Sequence, residues 1–211
     1  MHCSHNAELI PDKREIEGKK DGVCPVAWAE QCIEIAYHNN CGKSVICRDG
    51  MTQIKSIVND ITGGKGQADD LEIIKDICTV ICLSEGCELA VKTAENVLFS
   101  LSEYHDEWEK HCYRKRCSEL VCKKYYSLYI AAEQCTGCGR CIEVCENSVI
   151  HGGKGLISVI DETKCNRCGK CMEVCENQAV AKYVSVKPHV PTEPVPVGSF
   201  SNTRRRRRKH G

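Results

Sequence analysis

The chain is predicted to be an α+β protein, a four-helix bundle followed by a small cysteine-rich domain of short strands and helices. Three features predict it. Apolar residues recur at helical spacing in four stretches between Cys24 and His111. Beyond residue 124 that period gives way to short apolar runs, Tyr129-Ile130-Ala131 and Leu156 to Ile160. Each run leads into the same C-x2-C-x2-C-x3-C pattern, and the two copies start thirty residues apart, at Cys135 and Cys165.

The elements follow in order. Residues 1–22 are polar and charged, contain Gly18 and Gly22, and read as an extended arm. His2, Cys3 and His5 are metal donors in type, but they sit at the very terminus. Residues 23–123 form the helical part. Pro25 suits the first turn of a helix running from Ala27 to His38. Met51, Ile54, Ile57, Val58 and Ile61 make a second stripe, stopped by Gly63-Gly64-Lys65-Gly66. That glycine loop lacks the strand before it and the Lys-Ser/Thr after it that a phosphate loop needs. Leu71, Ile74, Ile77, Cys78 and Ile81 form the third stripe. Ala90, Ala94, Val97, Leu98, Leu101, Tyr104 and Trp108 form the fourth, read as one helix. Short connections between four amphipathic helices imply a bundle. Residues 124–186 carry the cysteine repeat, and residues 187–211 read as a proline-containing linker and a disordered basic tail.

The repeat carries the chemistry. A tight loop delivering three thiolates, with a fourth from farther off, is what a [4Fe–4S] cluster needs, and in two-cluster ferredoxins the fourth cysteine of each run serves the other cluster. The expected sets are therefore Cys135, Cys138, Cys141 and Cys175 for one cluster, and Cys165, Cys168, Cys171 and Cys145 for the second. Gly137, Gly139 and Gly169 are expected to let backbone N–H groups approach the cluster sulfurs. Zinc ribbons and disulfides do not explain a third and fourth cysteine repeated in one register. Each fourth cysteine is followed by a glutamate, Glu146 and Glu176, where bacterial ferredoxins usually have proline. Their negative charge is expected to make the clusters harder to reduce.

Composition bounds the rest. Nineteen of 211 residues are cysteine, an odd number, and no apolar stretch follows the Met1-His-Cys-Ser-His start. A cytoplasmic, reducing setting is expected, with cysteines acting as ligands rather than staples. No run approaches the length of a membrane span. Net charge is zero, yet Arg204 to Lys209 contribute six positive charges, leaving 23 basic against 29 acidic residues elsewhere. A nucleic-acid interface would need basic residues interleaved with aromatics on a folded face, and none is present.

Asn39-Asn-Cys41-Gly-Lys-Ser44-Val-Ile-Cys47-Arg-Asp-Gly50 and the distant Cys87-Glu-Leu-Ala resemble the helical cluster domain of the flavin-bearing subunit of complex I and NAD-linked hydrogenases. There a Ser-Cys-Gly-Lys-Cys-x-x-Cys-Arg-x-Gly motif and a Cys-x-Leu-Gly bind one cluster. The resemblance runs through Val97-Leu98, Asp106 to His111 and Arg116 to Lys123 into the double ferredoxin, covering about residues 23 to 183. It implies a third cluster at Cys41, Ser44, Cys47 and Cys87. Ser44 stands where the family has a cysteine, and a serine oxygen is a harder and less acidic donor than a thiol. A three-iron cluster, rescue by Cys82 or Cys32, or an empty site are the alternatives. Cys24, His111, Cys117 and Cys122 make a Cys3His set of the structural zinc type. Similar positions in the hydrogenase-type relatives imply that such a zinc pins the bundle to the ferredoxin domain. The plainer reading is a surface histidine beside free thiols. Cys78 and Cys82, four apart on a helix, are either a metal pair or core.

Nothing in the sequence reads as a catalytic set, a flavin loop or a nicotinamide domain, so the expected chain is not an enzyme by itself. It is expected to be an electron-transfer subunit without flavin or NAD, in a hetero-oligomer with a large catalytic subunit and a donor such as ferredoxin or a flavoprotein. The resemblance implies two partner classes. One is a tungsten or molybdenum pterin enzyme, as in class II benzoyl-CoA reductase, whose electron-transfer subunit is similar. The other is an NAD-linked flavoprotein or hydrogenase complex. The electron-only make-up favours the pterin enzyme. A free soluble ferredoxin and an oxygen-sensing regulator are the readings from other classes.

Overall fold

The computed structural model describes residues 7–18, 21–84 and 87–200. The chain divides into two compact units, Met1–Tyr125 and Tyr126–Gly211. Helices dominate the first and small antiparallel sheets the second, giving an α+β protein.

In the first unit α1 spans Pro25–His38, α2 Val45–Thr62, α3 Asp70–Leu83, α4 Glu88–Glu103 and α5 His105–Tyr113. Pro25 opens α1, where its missing N–H costs nothing. Ser44 caps α2, its hydroxyl accepting the Cys47 N–H at 3.4 Å. Each of α1 to α4 packs on its neighbour in the chain, and α1 also packs on α4. Glu30 meets Thr62 and Glu34 meets Lys55, so α1 and α2 run antiparallel. Gly50 near the start of α2 abuts Ile81 near the end of α3, where an added Cβ would lie 2.9 Å from Cδ1. The start of α2, with Ser44 and Cys47, therefore lies at the same end of the unit as the end of α3.

Two expectations for this unit are corrected. The fourth apolar stripe is two helices, not one. Tyr104 leaves helical geometry between α4 and α5, and its hydroxyl donates to the Ile16 carbonyl. The N-terminal arm does not extend away. Ile10 and Ile16 are buried in the core, and the Lys92 ammonium and Asn96 amide take the carbonyls of Ala7 and Pro11, each at 2.8 Å. Burying two isoleucines outweighs the solvation of a short polar segment. The terminal His2, Cys3 and His5 lie outside the described residues.

In the second unit β1 (Ser127–Ile130) pairs with β5 (Val180–Tyr183), β2 (Ile150–His151) with β4 (Val159–Ile160), and β3 (Leu156–Ile157) with β6 (Val195–Pro196), all antiparallel. One-turn helices α6 (Arg140–Glu143) and α7 (Lys170–Glu173) each start after a left-handed glycine, Gly139 and Gly169. The sequence repeat is thus a structural one. Residues 187–200, expected as part of a linker, include β6 and the buried Pro191 and fold back on β3. The basic run 204–209 lies outside the described residues. No described helix is long and apolar enough to cross a membrane.

Candidate metal and iron–sulfur sites

No disulfide joins the described cysteines. In the second unit Cys135, Cys138 and Cys141 line one cavity together with Cys175 from the other repeat. Four thiols converging on one space, three from a loop and one from forty residues on, is a donor set suited to a cubane cluster. Cys165, Cys168 and Cys171 occupy the equivalent loop, and Cys145 stands in the first repeat where Cys175 stands in the second. Burial pushes the Cys171 thiol up to about 11. Backbone N–H groups of Arg167 and Ala179 donate to the sulfurs of Cys165 and Cys175 at 3.4 and 3.3 Å. Such donors stabilise a thiolate ligand.

The two glutamates are not bare charges. Arg140 in the first run pairs with Glu176 after the second, and Lys170 in the second pairs with Glu146 after the first. The pairs cross between repeats and are related by the thirty-residue period. Each carboxylate is compensated locally, so its expected effect on cluster reduction is smaller than its formal charge suggests. Its contact instead ties one cysteine loop to the other.

In the first unit Cys24, His111, Cys117 and Cys122 are all buried, with their ligand atoms within 4.8 Å of one another. It is the only such cluster of three or more metal-binding side chains among the described residues. Cys24 Sγ lies 3.5 Å from His111 Nε2, which lies 3.3 Å from Cys122 Sγ, and the two sulfurs are 3.8 Å apart. Zn–S bonds of about 2.3 Å and Zn–N of about 2.0 Å give tetrahedral edges of about 3.8 Å and 3.5 Å. The spacing suits a single ion and is too tight for a cubane. His111 Nδ1 is 2.8 Å from the Glu107 carbonyl, which can only accept, so Nδ1 carries the proton and Nε2 faces the sulfurs. Burial lowers the His111 pKa, and the sulfurs of Cys117 and Cys24 more than reverse it. Hydrogen bonds from Cys122 and Cys24 hold the Cys117 thiol well below its ordinary range.

Sequence reasoning missed the groups around this set. The buried Glu107 carboxylate accepts the Ser118 N–H at 2.8 Å and its hydroxyl at 2.6 Å, fixing the residue after Cys117. Tyr125 stands edge-on to the His111 ring at 5.0 Å. Only the helical spacing of Glu107 and His111 hinted at the first. The histidine is fully buried, not on the surface, and all four residues belong to the first unit.

For the third set, Cys47 lies in the first turn of α2, Cys87 immediately before α4, and Cys41 in the α1–α2 connection. Cys47 and Cys87 are buried and Cys41 is half-buried. Of the substitute ligands, Cys32 sits mid-helix in the core, holds the Asn96 amide at 3.7 Å, and is pushed up to about 12 by burial. It is a core thiol, as is Cys78, also raised to about 12 by burial. Cys82, one residue from the end of α3, shares the end of the unit with Cys87. Ser44 and Cys82 are therefore the candidate protein donors for a fourth position, beside a three-iron cluster or an empty site. Ser44→Cys is expected to cost about 1 kcal/mol of α2 capping, yet to slow iron loss from this site to a chelator and change its EPR spectrum. An unchanged rate and spectrum would assign the fourth ligand elsewhere, with Cys82 next.

Residues 27–111 match the iron–sulfur binding region of NADH-ubiquinone oxidoreductase-F, and residues 134–180 match a 4Fe-4S dicluster domain. The chain carries both iron–sulfur modules. Among curated relatives, the NADP-reducing hydrogenase subunit HndC of Solidesulfovibrio fructosivorans is 31% identical over 131 residues, 62% of this chain and 27% of that protein. The NADH-quinone oxidoreductase F 2 protein of Rhizobium meliloti is 30% identical over 46% of the chain and 23% of its own length. The NADH-quinone oxidoreductase F protein of Streptomyces coelicolor is 32% identical over 44% and 21%. The chain spans about a quarter of the length of these relatives. The oxidoreductase-F module holds Cys41, Ser44, Cys47 and Cys87, and the dicluster module holds all eight cysteines of the repeat. Of the Cys3His set, only His111 falls inside a matched module.

Proposed function

We propose that this chain is an iron–sulfur electron-transfer subunit that relays single electrons to or from the catalytic subunit of an oxidoreductase complex. The observation that carries this reading is the cavity shared by Cys135, Cys138, Cys141 and Cys175, within a module that matches a dicluster domain. Bound clusters supply one-electron chemistry, and the chain's residues hold, shield and tune them. We assign two [4Fe–4S] clusters to the repeat, a third iron–sulfur cluster to Cys41, Cys47 and Cys87 with Ser44 or Cys82, and zinc to Cys24, His111, Cys117 and Cys122.

On this reading the chain performs no substrate chemistry by itself and works in a hetero-oligomer. Two partner classes differ in what they would carry. A pterin enzyme of the aromatic acyl-CoA reductase kind brings tungsten or molybdenum, whereas an NAD-linked or hydrogenase complex brings flavin. The names of the matched relatives speak for the second. Anaerobic purification with metal analysis and identification of co-purifying chains tests the reading. About twelve irons and one zinc per chain are expected, and about eight irons would leave only the repeat loaded. A chain that takes up no iron would overturn it.

A further inference from the structure

Among the described residues, Ser158 Oγ is the only fully buried side-chain oxygen or nitrogen with no hydrogen-bond partner. Native proteins rarely leave such an atom unused. Ser158 joins β3 to β4, is 2% exposed, and lines the cavity that Cys135, Cys138, Cys141 and Cys175 share. Gly152 closes in on it so tightly that a Cβ there would lie 2.7 Å from the hydroxyl oxygen. Burial pushes the Cys141 thiol up, and the nearby Ser158 hydroxyl acts against that rise. Thirty residues earlier, at the same register of the repeat, stands the buried Leu128, which has nothing to donate.

The geometry points to Ser158 as a tuning residue: its hydroxyl donates to the Cys141 sulfur of the cluster in this cavity and raises the reduction potential of that cluster alone. The inference rests on the two-cluster reading above. Reduction adds negative charge to the cluster and its sulfurs, and a hydrogen bond to a more anionic acceptor is stronger. The donor therefore stabilises the reduced state more than the oxidised one. With leucine at the equivalent position, the second cluster lacks this stabilisation, so the two sites of a near-symmetric domain are made unequal.

Potentiometric titration followed by EPR, on the full chain purified anaerobically, tests this with Ser158→Ala and Ser158→Cys. In Ser158→Ala one cluster of the repeat is expected to shift to a more negative potential while the other stays put. A shift of about tenfold in the reduction equilibrium corresponds to about 59 mV for one electron. Ser158→Cys, with its weaker S–H donor, is expected to shift the same cluster by less. Loss of the cluster from Ser158→Ala, with a lowered potential in Ser158→Cys, also supports the role. Unchanged potentials in loaded variants, or an equal shift of both clusters, would overturn it. An iron count showing no cluster at this cavity in the unaltered chain would instead overturn the two-cluster reading.

Discussion

Replacing Cys122 or His111 with alanine is expected to strip zinc from the first unit and to cost it several kcal/mol of stability. The four ligands come from the residue before α1, from α5 and from the loop beyond it, and Cys24 and Cys122 are 98 positions apart. An ion held by them ties the start of the helical unit to its end. A metal that binds only the folded form stabilises by about 4 kcal/mol when free metal is a thousand times Kd. Structural zinc in small finger peptides binds with about 10–16 kcal/mol, with folding and binding coupled. The loss here should be smaller, because the unit also buries an apolar core that includes Ile33, Met51, Ile54, Ile74 and Trp108. Zinc per chain, measured by mass spectrometry, should fall from about one to none, and the thermal midpoint should fall with it. Cys112→Ala is the control. Cys112 is also a buried cysteine of α5 but lies outside the set, so it should keep its zinc. A zinc-free unaltered chain of full stability would refute the assignment.

Gly137→Ala is the second large effect, and it should act on the cavity of Cys135, Cys138, Cys141 and Cys175. Gly137 has φ +67°, and a Cβ there would lie 2.8 Å from Leu156 N and 2.9 Å from Gly155 Cα. Its carbonyl also accepts the Gly155 N–H at 2.9 Å. Left-handed backbone costs an L-residue at least about 1 kcal/mol, and overpacking against main chain adds about 1–3 kcal/mol. A loss of about 3 kcal/mol follows from these terms, with iron in this domain falling from about eight to about four. Gly139 offers the comparison. It has φ +82° but nothing within 4 Å, so Gly139→Ala should cost only the backbone strain, about 1 kcal/mol. Equal urea midpoints and iron contents for the two variants would contradict the crowding argument. The second repeat supports it, because Arg167 holds the same left-handed turn with a full side chain.

The reason for Gly137 is therefore not the one its sequence suggests. The cysteine spacing implies a loop wrapped on a cluster, and glycine there suggests N–H groups approaching sulfur. The structure adds the close passage of residues 155–156, which no local pattern announces. The same holds for Glu146 and Glu176. Their position after the fourth cysteine is plain in the sequence, but their partners Lys170 and Arg140 are 24 and 36 residues away.

By itself the sequence determined what depends on short-range spacing: the cysteines of the double run, the helices α1 to α3, and the Cys41–Gly50 motif with serine at its centre. Helical period, loop chemistry and ligand spacing are properties of ten or so consecutive residues, so they are legible without a fold. Only the tertiary structure decided what depends on residues far apart in the chain. It drew Cys24 to within a tetrahedron edge of His111 and Cys122, and broke the fourth stripe at Tyr104. It also folded residues 195–196 onto β3 and buried the Ser158 hydroxyl at the cavity of Cys135, Cys138, Cys141 and Cys175. These outcomes are set by which apolar surfaces bury against one another, a choice made by the whole chain at once.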